Sequence, residues 1–163
     1  MADFFKLVGD SRIPHIVAPA ALDAFEALPV SSAAEVHGSR TRDYVDWIER
    51  PYWLASDQMK SIMHKYNRQI RLKHVALVDT EQGRQHPYWA LQVPALRCLS
   101  PESEQYPNGT IKRLVLERER LQGQHLFAVE DMLAPCLIIS LAAAESLLRR
   151  NLTGFVLTRV EQS

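Results

Sequence analysis

Apolar residues recur along this chain with two periods, and the switches between them mark its elements. The pattern is sharpest from residue 51 onward. Tyr52-Trp53-Leu54-Ala55 is a short apolar run that predicts a buried strand. Ser56 follows as a good N-cap, and Met59, Ile62, Met63 and Tyr66 then share one face of a helix that Asn67 ends. Ile70, Leu72 and Val75-Ala76-Leu77-Val78 predict a second strand, and the polar stretch 79–87 a turn. Tyr88 to Val93 alternates as a strand does, and Pro94 places it at a sheet edge or a bend. Leu96, Cys98 and Leu99 extend it. Residues 100–110 read as a loop. Ile111 to Leu116 and Leu126 to Val129 read as strands, with Gln122-Gly123 favouring a tight turn between them. Leu137-Ile138-Ile139 is the last buried run. Ser140 caps a helix over Leu141 to Arg150 with Leu147 and Leu148 inward, and Gly154 opens a closing strand that carries Phe155, Leu157 and Val160.

The first fifty residues are less regular. Pro19 to Pro29 predicts a short helix, with Leu22, Phe25 and Leu28 at helical spacing and a proline at each end. Val30 to Arg40 is small and polar and reads as a loop. Thr41 caps a predicted helix running to about Arg50, with Tyr44, Trp47 and Ile48 as its apolar stripe and Asp43, Asp46 and Glu49 around it.

Two units look alike. Pro51, Ser56 and Asn67 align with Pro135, Ser140 and Asn151 at one constant offset. After a one-residue slip, Ile70, Leu72 and Val75 align with Phe155, Leu157 and Val160. Two origins fit this: an internal duplication with two related lobes, or convergence of a common strand–cap–helix–strand unit. Both predict an α+β fold of mixed, largely antiparallel sheets with short helices packed on them. The 163 residues suit one domain, with 1–50 as the less regular segment and 51–160 as the core.

Charge changes little in this picture. Lys plus Arg and Asp plus Glu are 19 each, so no whole-protein field draws in nucleic acid or anionic lipid. The N-terminus has no secretory pattern and no apolar run reaches the ~20 residues of a membrane span. The expectation is a cytoplasmic chain with Cys98 and Cys136 reduced. Catalytic and metal signatures are scarce. The histidines His15, His37, His64, His74, His86 and His125 make no i,i+4 or H-x-H pair, and the cysteines lie too far apart for C-x-x-C. Ser140 sits where a nucleophile elbow would place it but lacks both glycines, so a helix cap is the better reading. Glu117 and Glu119 share a predicted strand face, where interleaved Arg118 and Arg120 make a solvated charged end. Arg68, Arg71 and Lys73 beside Tyr66 and His74 lack any RNA-binding motif. No enzyme, cofactor or metal site is expected.

The runs Tyr88-Trp89-Ala90-Leu91-Gln92-Val93, Cys98-Leu99-Ser100 with Ser103, and Leu126-Phe127-Ala128-Val129 carry a resemblance. So do Leu54-Ala55-Ser56, Leu137-Ile138-Ile139-Ser140, Leu147-Leu148 and Leu152-Thr153-Gly154-Phe155. Over roughly residues 51–160 this pattern resembles a family of bacterial immunity proteins of polymorphic toxin systems, long filed as a domain of unknown function. Gln92, Pro94 and Arg97 depart from it, where the family leads one to expect more asparagine and acidic character. The resemblance implies a cytoplasmic protein that binds and neutralises a cognate toxin or effector protein and carries no cofactor. The acids Asp43, Asp46 and Glu49 form the candidate partner-binding patch, with Tyr44, Trp47 or Tyr52 as aromatic anchors. The alternative is an effector-associated adaptor or chaperone of a secretion system, and a third reading is a hydrolase with a convergent polar cleft.

Overall fold

The computed structural model describes residues 2–36 and 42–163. Among them the fold is α+β, as the pattern predicts, with two α-helices and fourteen strands. The first half runs β1 (Phe4–Gly9), a single 3-10 turn at Phe25–Ala27, β2 (Ser31–Glu35), β3 (Trp47–Ile48), β4 (Leu54–Ser56), α1 (Asp57–Tyr66), β5 (Arg71–Asp79) and β6 (Arg84–Gln92). The second runs β7 (Ala95–Leu96), β8 (Glu104–Gln105), β9 (Ile111–Arg113), β10 (Val115–Leu116), a 3-10 turn at Arg118–Leu121, β11 (Leu126–Val129), β12 (Leu137–Ser140), α2 (Leu141–Leu148), β13 (Phe155–Arg159) and β14 (Glu161–Gln162).

The strands form two five-stranded sheets, ordered β2-β5-β6-β4-β3 and β13-β1-β12-β11-β7, and two small ribbons, β10-β14 and β8-β9. Alternation decides which side chains face which layer. Trp47, Ala55 and Leu91 of the first sheet and Leu7, Leu126, Leu137 and Ile139 of the second join the helices in one shared core. The opposite face of the first sheet, with Ile48, Leu54, Val75, Tyr88 and Ala90, is covered by Ile13, Ile16, Val17, Leu22, Phe25 and Leu28. The opposite face of the second, with Phe4, Phe127 and Ile138, is covered by Leu96, Cys98, Leu99, Leu116 and Leu121. The helices therefore lie between the sheets, and an irregular segment closes each outer face.

Both helices start as their sequences dictate. The Ser56 hydroxyl accepts the Met59 N–H, and the Ser140 hydroxyl accepts the Ala143 N–H. Met59, Ile62 and Met63 form the buried stripe of α1, and Ala143, Ala144 and Leu147 that of α2. Leu148, expected inward, is exposed because α2 ends there.

Several expectations fail. The helix over 19–29 is an extended cover with one 3-10 turn, held where Lys73 Nζ donates to the Phe25 carbonyl at 2.6 Å and stands over its ring. Residues 31–35 form β2, paired in parallel with β5, where a loop was expected. The helix to Arg50 does not form over 42–50, and its Thr41 cap lies outside the described residues. Extended backbone there is fixed by other segments: Asp43 N–H donates to the His15 carbonyl, and the Asp46 and Trp47 N–H groups to the Thr153 carbonyl. Around Gln122-Gly123, β10 pairs with β14 and not with β11. Glu117 and Glu119 lie at a 3-10 turn, not on one strand face. Pro94 follows β6, which lies in the interior of its sheet between β5 and β4.

Two further contacts constrain the fold. Gly154 has φ +100°, and a Cβ there would stand 2.6 Å from the Trp47 carbonyl oxygen and 2.8 Å from Val45. Gly154→Ala is expected to destabilise the fold by at least about 2 kcal/mol, read from chemical denaturation. Near the β5–β6 turn, Arg42 Nη1 lies 2.7 Å from Asp79 Oδ2, with both side chains buried. Asp79 also accepts the Gln82 N–H at 3.1 Å. Burial opposes its charged form, but the Gln82 hydrogen bond and the Arg42 charge outweigh it and hold the carboxyl below its ordinary range. The resulting stability is present above that range and is lost as pH falls through the folded-state value. Asp79→Asn should lower the melting temperature at neutral pH and flatten its fall on acidification. An unchanged acid limb would show that this pair carries no linkage.

Candidate functional site

The connections between paired neighbours supply the most distinctive surface. Residues 49–53 join β3 to β4, and residues 130–136 join β11 to β12. Both line a groove of about 810 Å³, together with the end of β6. Its walls are mainly apolar: Pro51, Tyr52 and Trp53 from one connection, Met132, Leu133 and Pro135 from the other, and Leu91 and Val93 between them. Leu133 is 70% exposed. Glu49, Arg50 and Gln92 are the polar members.

The structure divides the six expected partner-binding residues. Glu49 and Tyr52 line this groove. Glu49 Oε2 accepts the Gly9 N–H at 3.1 Å, and the Tyr52 hydroxyl donates to the Asp23 carbonyl at 2.6 Å. Burial, reinforced by the nearby Asp23 charge, pushes the Tyr52 hydroxyl pKa up. Trp47 is fully buried beside Trp53, with ring centroids 5.9 Å apart, so it is a core residue and not an exposed anchor. Among the described residues its indole N–H has no hydrogen-bond partner. Asp46 is committed internally, accepting the Ser56 hydroxyl at 2.7 Å and the Thr153 N–H at 2.8 Å. Tyr44 stacks on His86 with centroids 3.6 Å apart, and Asp43 bridges to Ile16. The acidic stripe required a helix, and in extended backbone its members point to different neighbours. Leu133 and its connection carried one readable signal, the adjacent pair Met132-Leu133 in a segment otherwise rich in turn formers.

Other reactive groups make cap hydrogen bonds or are buried. Ser140 Oγ lies 2.9 Å from His125 Nδ1 and accepts the Ala143 N–H. In the first half Ser56 does the same with Asp46, so the serine–histidine pair has a twin whose partner is a carboxylate. The Cys98 thiol is pushed up to about 12, chiefly by burial, and that of Cys136 is raised for the same reason. Among the described residues no group of His, Cys, Asp or Glu is placed to hold a metal ion. No described helix is long and apolar enough to cross a membrane. No protein-family model and no curated protein matches the chain.

A cap and a nucleophile respond differently to truncation. Ser140→Ala is expected to cost about 1 kcal/mol, and Ser56→Ala about the same. A Ser140→Ala variant of unchanged stability that had lost an esterase activity would assign Ser140 to chemistry.

Proposed function

We propose that this protein is a binding protein of the immunity class, which neutralises a cognate bacterial toxin in the cytoplasm by docking it at the groove between the 49–53 and 130–136 connections. The observation that carries this reading is the apolar groove itself, with Leu133 standing out of its rim. Aromatic and aliphatic side chains framed by a few polar groups are what a protein anchor needs, because buried anchors supply most of the binding energy. The family-like pattern over residues 51–160 supports the same reading, and it includes Leu54 and Leu91 of the sheet behind the groove and Val93 of its lining. Glu49 at the rim would favour a basic partner, the usual character of toxins that attack nucleic acid.

Co-expression tests this. Cells making the toxin encoded beside this gene should grow when the protein is present, and the two should co-purify. Leu133→Asp should weaken the complex at least tenfold, about 1.4 kcal/mol, with the fold retained. Glu49→Gln should chiefly slow association. Growth that is not restored, or an affinity untouched by Leu133→Asp, would sink the groove reading.

A further inference from the structure

The two halves match in more than their strand–helix–strand units. Ser56 pairs with Tyr88 across β4–β6, and Ser140 pairs with Phe4 across β12–β1. Superposing the serines therefore lays β1 on β6, Phe4 on Tyr88 and Leu7 on Leu91. The outer pairings then agree. Leu72 lies opposite Leu91, and Leu157 opposite Leu7. Val75 lies opposite Tyr88, and the Val160 N–H bonds the Phe4 carbonyl.

On the other flank, Trp47 and Ile48 face Ala55 and Leu54, as Leu126 and Phe127 face Ile139 and Ile138. At the far edge, β2 runs parallel to β5 and β10 runs parallel to β14, the continuation of β13. Layer assignment follows suit: Ile48, Leu54 and Tyr88 face the first outer cover, and Phe127, Ile138 and Phe4 the second.

In chain order each half reads first strand, irregular cover, edge strand, hairpin, capped helix, closing strand. The first strands, however, lie in the wrong halves. β1 sits between β12 and β13, and β6 sits between β4 and β5.

We infer that the chain is one structural unit of about half its length, present twice in tandem, whose two copies have exchanged their first strands. It is a fused dimer interlocked through β1 and β6. The β5–β6 turn and the place where β14 and β1 come together are then equivalent. The Gln162 side chain donates to the Ala2 carbonyl at 2.8 Å there.

Two full-length variants test the equivalence independently of any partner. Phe4→Tyr/Phe5→Trp gives β1 the side chains of β6 in register. It should shift the melting temperature by no more than about 4 °C. The same side chains placed one residue later, as Phe5→Tyr/Lys6→Trp, reverse their faces and should cost at least three times that shift. Equal losses from the two would overturn the equivalence. A circular permutant, with Ser163 joined to Ala2 by a short glycine linker and the chain opened at Gln82, should keep native circular dichroism and a cooperative melt. An unfolded or aggregated permutant would also overturn it.

Discussion

Each five-stranded sheet receives an interior strand from the other half of the chain, and this exchange governs how the molecule is held together. A strand with neighbours on both edges satisfies its backbone groups on both sides and buries side chains on both faces. β1 does so with Phe4 in the outer cluster and Leu7 in the shared core, and β6 does so with Tyr88 and Ala90 outside and Leu91 inside. Removing either strand would open a ladder on two edges and unseat residues from two cores. Truncating one such leucine to alanine typically costs about 2–5 kcal/mol. The two exchanges differ in chain entropy. β6 returns to β5 through a turn of a few residues, whereas β1 must meet strands at the far end of the chain. Loop-closure entropy therefore disfavours early docking of β1.

The capped helices sit at the crossing point of the two halves. Ser56 and Ser140 each hold a helix start, and each is gripped by the residue preceding its neighbouring strand, Asp46 before β3 or His125 before β11. The Ser56 N–H donates to the Asp46 carbonyl and the Ser140 N–H to the His125 carbonyl, both at 2.8 Å. The loops after the helices cross over. The Asn67 side chain donates to the Leu126 carbonyl, and the Thr153 N–H to Asp46. Gly154 belongs to the second of these crossings, where backbone passes too close to Trp47 and Val45 for a side chain. One hydroxyl thus helps fix helix start and neighbouring strand together, beside the contact between the halves.

What was legible in the sequence followed from local rules. Ser56 and Ser140 announced caps, the Met59, Ile62 and Met63 stripe announced a helix, and the two strand–cap–helix–strand units showed a likeness that left duplication and convergence both open. What was not legible depended on distant partners. Phe-Phe-Lys-Leu carries no strong alternation, and β1 is a strand because β12 and β13 supply both ladders. Tyr44, Trp47 and Ile48 fit helical spacing, but the Thr153 and His15 carbonyls claim the N–H groups a helix would need. Tertiary hydrogen bonding overrode spacing, and the acidic patch built on that spacing dispersed with it. Glu49 and Tyr52 reached the candidate groove for a different reason: they flank the turn into β4.

The repeat also shows where the molecule is not symmetric. The connection over 130–136 is longer than its twin over 49–53, and it carries Leu133 into solvent against the Gly109 loop, where a Cβ on Gly109 would stand 3.7 Å from Leu133 Cδ2. A single exposed leucine needs no explanation. This one lies on a segment the first half does without, so the shared scaffold does not require it. The groove exists because the longer connection faces the shorter one across the end of β6. In a chain whose caps, ladders and cores occur twice, apolar surface that occurs once is poorly explained by folding and well explained by contact with another molecule.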